Sequence, residues 1–99
     1  MRFNVEKNNG NMTIELEGWL DTNTAPDLDR FLHDSLDGIR SLKFDLRLLE
    51  YISSAGLRVL LYAHKKVTGQ KGNMKVTGCS EDIMEIFEIT GFSDILNIE

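Results

Sequence analysis

Tyr51-Ile52-Ser53-Ser54-Ala55-Gly56-Leu57-Arg58-Val59-Leu60-Leu61 is the stretch on which the reading of the fold turns. Before it, Leu42, Phe44 and Leu46 alternate with polar neighbours, the two-residue repeat of a strand over Ser41 to Leu46. After it, Leu57, Leu60, Leu61, His64 and Val67 recur at three- and four-residue spacing, the repeat of a helix that ends near Gly69 or Gly72. A bend is expected between them, over Arg47 to Tyr51. Two serines and a glycine stand where the period changes, at the start of the helix.

The same change of period recurs on both sides of this stretch. Phe3 and Val5, then Met12, Ile14 and Leu16, predict two strands. Asn8-Asn9-Gly10-Asn11 between them predicts a hairpin, because Asn and Gly tolerate the positive φ of tight turns. Thr24, Pro26 and Asp27 form a helix-start signature, with Thr24 as N-cap and Asp27 three residues on. Ala25, Leu28, Phe31, Leu32 and Leu36 continue that helix, and Gly38 stops it. Met74-Lys75-Val76 reads as a short strand. Ser80 caps a third helix with its apolar face at Ile83, Ile86, Phe87 and Thr90, closed by Gly91. Ile95, Leu96 and Ile98 could add a last strand. The order β-β-α-β-α-β-α, with this optional strand, predicts an α/β fold. Its mixed sheet has four to five strands, an N-terminal antiparallel hairpin and helices packed against it.

Composition narrows the function. The 99 residues carry 16 acidic and 11 basic side chains, a formal net charge of −5. That length suits a single domain over 1–99. The acidic balance argues against nucleic acid, whose phosphates need a basic stripe, and against an anionic membrane surface. The single cysteine, Cys79, cannot form an internal disulfide, and no Cys/His group has zinc spacing. No apolar run approaches the length of a membrane span or signal peptide. A small cytoplasmic domain without metal or cofactor is expected.

Ser53 and Ser54 hold the most promising chemistry. The exposed N–H groups and dipole of a helix start suit an anion, a phosphoserine included. Either serine could equally serve as the cap. A hydrolytic nucleophile at Ser54 is disfavoured, since the nucleophile elbow needs glycine two residues before the serine and Ile52 stands there. His64 falls on the apolar stripe of its helix and reads as a core or boundary residue. His33 falls on a polar face. Asp21 reads as a turn or capping carboxylate, and Cys79 as a packed thiol. Lys65, Lys66 and Lys71 read as a solvated face.

Three segments together resemble the STAS family, and within it the anti-sigma factor antagonists of bacterial partner-switching systems. Leu16 to Ala25 resembles the family's strand, its Gly-x-Leu-Asp turn and its Thr-Ala helix start. Leu42 to Leu46 resembles its central strand, and Tyr51 to Leu61 its phosphorylation loop and following helix. The resemblance implies the STAS fold and no enzymatic activity of the chain's own. It implies that the unphosphorylated form binds an anti-sigma factor, typically a small ATP-dependent serine kinase, and frees a sigma factor. Phosphorylation of the loop ends that binding, and a PP2C-type phosphatase restores it. Aligned on Gly56 and Leu57, the phosphoacceptor falls on Ser54, with Ser53 as a competing hydroxyl. Asp21 falls on an acidic position used at the partner interface. Thr22, Asn23, Ser53, Ala55, Gly56 and Arg58 are the further partner-binding candidates, and a monomer is expected when the chain is free. The familiar family loop reads Asp-Ser-Ser/Thr-Gly. Here Ser53 replaces the aspartate, Ala55 the second hydroxyl residue, and Arg58 a glycine. The alternative is an unphosphorylated STAS accessory subunit of a lipid-transport ABC ATPase.

Overall fold

The computed structural model describes residues 1–99. Strands β1 (Arg2–Asn8) and β2 (Asn11–Leu20) form the expected antiparallel hairpin, with Val5 opposite Ile14. The positive φ of its turn falls on Asn9, at 58°. Helix α1 (Ala25–Ser35), strand β3 (Ser41–Ile52), helix α2 (Ser54–Gly69), strand β4 (Asn73–Thr77) and helix α3 (Glu81–Thr90) follow. A short 3-10 turn (Phe92–Asp94) then leads into strand β5 (Asn97–Ile98). The five strands lie in chain order across one sheet. Beyond the hairpin, every neighbouring pair is parallel.

Alternation decides which face of the sheet is covered. Met12, Ile14, Leu16, Leu42, Phe44, Leu46, Met74 and Val76 are buried, while their neighbours along each strand are partly or fully exposed. Helices therefore cover one face, and α1, α2 and α3 contribute Leu28, Leu32, Leu60, Ala63, Ile83 and Phe87 to the same core. The opposite face is polar and carries an ion cluster. Arg47 Nη2 lies 3.0 Å from Asp45 and 3.3 Å from Glu15. Burial would raise the Asp45 pKa, but the Arg47 contacts outweigh it and hold the carboxyl below its ordinary range.

The bend expected over Arg47 to Tyr51 is absent, because β3 runs on to Ile52. Its pairing with β2 slips twice. Glu15 and Glu17 face Asp45 and Leu48, while Gly18 and Trp19 face Leu49 and Tyr51. Each slip places one extra residue in β3, as a β-bulge does. Buried positions consequently change from a spacing of two (Leu42, Phe44, Leu46) to a spacing of three (Leu46, Leu49, Ile52). The two-residue period ends while the strand itself continues.

Helix α2 starts directly against the ends of β2 and β3. A Cβ at Gly56 would stand 2.8 Å from Leu20 Cγ, 2.8 Å from Ile52 Cγ1 and 2.9 Å from the Leu20 carbonyl oxygen. Two of those neighbours are core side chains and the third is backbone, so none can retreat freely. Gly69, at the far end of the same helix, meets nothing within 4 Å. Gly56→Ala is therefore expected to destabilise by about 1–3 kcal/mol through overpacking, lowering the thermal midpoint by roughly 4–8 °C for each kcal/mol. Gly69→Ala should leave the midpoint unchanged or raise it slightly. Thermal unfolding followed by circular dichroism distinguishes these outcomes.

Candidate functional site

Parallel strands β2 and β3 end side by side, and the loops leaving them build the site. In open α/β sheets, the carboxyl ends of the strands are the usual place for recognition. The Ser53 N–H donates to the Leu20 carbonyl at 2.9 Å and ties one loop to the other. Ser53 has extended backbone, and its Oγ accepts from the Gly56 N–H at 3.4 Å. Ser53 is thus the N-cap of α2, which resolves the two capping alternatives. Ser54 becomes the first helical residue, exposed, with its hydroxyl making no hydrogen bond to the protein. Its position at the helix start leaves its own N–H and that of Ala55 without an intrahelical acceptor.

The neighbouring loop is held by Asp21. Its Oδ1 accepts from the Asn23 N–H at 2.9 Å and the Thr24 N–H at 3.1 Å. The Thr24 hydroxyl turns back into the loop, accepting from the Asp21 N–H at 2.9 Å and donating to the Trp19 carbonyl at 2.7 Å. This corrects the expected capping box. Thr24 occupies the cap position but makes no side-chain bond to the helix, and Asp27 instead lies 3.4 Å from Arg30 on the surface. The turn reading of Asp21 holds, with its carboxylate half-buried. Thr22 and Asn23 are exposed beside it.

A shallow groove between the starts of α1 and α2 brings Thr22, Asp29, Ala55 and Arg58 together. Ala55 is half-buried and Arg58 exposed, whereas Gly56 is buried against Leu20 and Ile52. What Gly56 supplies to the site is the absence of a side chain. On the other side of Ser54, a second depression is lined by Tyr51, Leu57, Ile86, Ile89 and Thr90. Ile89 is 76% exposed, Trp19 55% and Tyr51 40%. Trp19 and Tyr51, opposite each other on β2 and β3, have ring centroids 5.1 Å apart.

These apolar residues are absent from the partner-binding candidates read from the sequence. A signal for them exists, because Ile89 stands off the Ile83/Ile86/Phe87 stripe and Trp19 out of phase with Met12, Ile14 and Leu16. Thr90, expected on the buried stripe of α3, is exposed, and its hydroxyl donates to the Ile86 carbonyl at 2.7 Å.

Other candidate chemistry lies apart from Ser54. His33 stacks on Tyr62, with centroids 4.1 Å apart and planes 8° from parallel. His64 is half-buried, and its buried Nδ1 has no hydrogen-bond partner. Neither histidine bonds to Ser54. Burial pushes the Cys79 thiol up, opposite to what a reactive thiolate requires. No three His, Cys, Asp or Glu side chains are grouped to hold a metal ion, and no helix is long and apolar enough to cross a membrane.

Comparison with known proteins gives this geometry a family. The anti-sigma-B factor antagonist of Bacillus subtilis is 30% identical over 98 residues, covering 99% of this chain and 90% of that protein. Among solved structures, the anti-sigma factor antagonist SpoIIAA in its unphosphorylated form superposes with a TM-score of 0.79 at 14% identity, covering 99% of this chain and 87% of that one. The Bacillus cell fate determinant SpoIIAA in its phosphorylated form gives 0.78 at 15% identity, covering 99% and 91%. Residues 2–99 match the STAS domain family. With its hairpin, its parallel crossovers and its serine-bearing helix start, the chain belongs to the STAS domain family.

Proposed function

We infer that this protein is an anti-sigma factor antagonist whose binding is switched by phosphorylation of Ser54. The observation carrying this reading is the division of labour between the two serines. Ser53 caps α2, so Ser54 has an exposed hydroxyl with no structural duty. A phosphoryl group on it breaks no hydrogen bond of the fold. Phosphoserine carries about −1.5 to −2 charges, and the exposed amides and dipole of the helix start tolerate them. The antagonist role rests on the relatives' names, and phosphorylation is known of SpoIIAA from the forms in which it has been solved.

The partner is an anti-sigma factor that is also a serine kinase, and a PP2C-type phosphatase reverses its action. In the transfer, Ser54 Oγ bonds to the γ-phosphorus of ATP, the bond to ADP breaks, and the hydroxyl proton passes to a base of the kinase. Kinase and phosphatase supply the catalysis. This chain supplies the acceptor and a docking face. Ile89, Tyr51 and Trp19 give that face exposed apolar area around Ser54, while Asp21 and the exposed Thr22 and Asn23 give it a polar margin. A phosphate introduced between apolar surfaces must be desolvated. Taking occupancy from 99% to 1% at fixed partner concentration needs a fall in affinity of about 10⁴-fold. An unpaired charge in an interface can provide much of that. No large rearrangement of the fold is required.

Incubation with the anti-sigma serine kinase of the same genome and ATP should add one phosphoryl group, located on Ser54 by mass spectrometry. Ser54→Ala should abolish the addition and keep partner binding. Ser54→Asp should weaken binding at least tenfold in calorimetry. Ser53→Ala should lower stability by about 1 kcal/mol through the lost cap and still be phosphorylated on Ser54. A stable complex unaffected by Ser54→Asp would instead favour the unphosphorylated accessory-subunit reading. Ile89→Glu should weaken partner binding at least tenfold, about 1.4 kcal/mol, and leave the thermal midpoint unchanged, because Ile89 is 76% exposed.

A further inference from the structure

Five arginines stand in the chain, at positions 2, 30, 40, 47 and 58. Four are engaged. Arg2 pairs with Glu17, Arg30 with Asp27, and Arg47 with Asp45 and Glu15, while Arg40 donates to the Lys71 carbonyl. Arg58 makes neither an ion pair nor a hydrogen bond. It is exposed on the first turns of α2, four residues after Ser54. Residues at that spacing are neighbours on a helix surface, with Cβ atoms roughly 5–6 Å apart. An arginine side chain spans that distance easily, and its planar fork matches phosphate oxygens.

We propose that Arg58 clamps the phosphoryl group of phosphorylated Ser54, holding the phosphate within its own chain. The proposal rests on Ser54 as the phosphoacceptor and adds to it a chain-specific device, since a glycine in the familiar family loop could make no such contact. The adjoining loop, tied to Ser53, carries Asp21, whose Oδ1 is held by the Asn23 and Thr24 N–H groups. The depression beside Ser54 is lined by Tyr51, Ile52, Leu57, Ile86, Ile89 and Thr90, none of them charged. The groove beside Arg58 contains one other charged residue, Asp29 of α1, whose Oδ1 lies 3.5 Å from His33 Nδ1. A phosphoserine, carrying more negative charge than Asp29 and lying on the same helix as Arg58, outcompetes it for the guanidinium. Phosphate held this way is less available to a phosphatase, and Arg58 is withdrawn from any contact with the partner. The clamp therefore lengthens the life of the off state.

The test places phosphoserine at position 54 of the full chain by codon suppression, so that no kinase is needed. A failure of kinase phosphorylation then speaks only to the reading above, and a failure here only to the clamp. The second ionisation of the phosphate is followed by phosphorus NMR across pH. A nearby guanidinium favours the dianion, so Arg58→Gln should raise that pKa by about 0.5 unit, a roughly threefold change in the ionisation constant. Arg58→Lys should fall between the two, and Lys65→Gln should leave the pKa unchanged. Treatment with a PP2C-type phosphatase should dephosphorylate Arg58→Gln several-fold faster. Identical titration curves for wild type and Arg58→Gln, with both proteins folded by circular dichroism, would overturn the clamp and leave the helix start as the sole stabiliser of the phosphate.

Discussion

Everything at the functional end of this molecule depends on one close approach. The first turn of α2 sits on the carboxyl ends of β2 and β3 with no side chain between them at Gly56. A hydrogen bond from the Ser53 N–H to the Leu20 carbonyl crosses the same junction. Because Leu20 closes β2 and Asp21 opens the following loop, the junction fixes both loops at once. The serines of one loop and the Asp21 turn of the other become a single rigid surface. A larger residue at position 56 would lift the helix start and separate them.

Under the phosphoacceptor reading, such anchoring suits a switch that works by surface chemistry. Ser53 Oγ and Asp21 Oδ1 accept from backbone N–H groups, so the loops are held from within the chain. The Ser54 hydroxyl, the Arg58 guanidinium and the Ile89 side chain are among the groups that project outward, with Thr22 and Asn23 beside them. On the proposed reading, a phosphoryl group changes the charge of this surface while the core beneath need not move. The acidic balance read from composition takes on a local meaning here. The net charge of −5 belongs to the whole chain, while the depression beside Ser54 is lined by uncharged residues.

How far the sequence discloses this depends on whether a feature is periodic. The hairpin, the three helices and the buried faces of β2, of β3 as far as Leu46 and of β4 follow from repeats of two and of three to four, whereas Val5 of the edge strand β1 and Thr90 of α3 are exposed despite standing in phase. β3 defeats the same reasoning after Leu46, because two bulges turn its buried spacing from two into three. No local signal separates that from a chain leaving the sheet. The caps divide: Ser80 and Gly91 close α3 as their residue types predict, while at α1 and α2 residue type alone is ambiguous. Ser53, Ser54 and Thr24 are all acceptable cap residues, and only backbone conformation assigns the role, giving it to Ser53 and turning the Thr24 hydroxyl back into the loop. The apolar rim of the site is legible only in reverse, from Trp19 and Ile89 standing out of phase with the buried stripes around them.

The differences from the familiar family loop also have a common direction. An aspartate at position 53 would cap α2 as well as serine does, since both are favoured N-caps. Its replacement by Ser53 therefore preserves the helix start while removing one negative charge next to the acceptor. Arg58 in place of glycine adds one positive charge a single turn away, at a position where glycine is a poor helix former. Together they make the surroundings of Ser54 more positive by two units, comparable with the −1.5 to −2 that a phosphoryl group brings. Mutual repulsion between an aspartate and a phosphate one residue apart is absent, and an unengaged guanidinium stands within reach. Under the phosphoacceptor reading, this loop is electrostatically better prepared for the phosphorylated state than the loop it departs from, and the free energy separating the two states shifts toward the phosphorylated one.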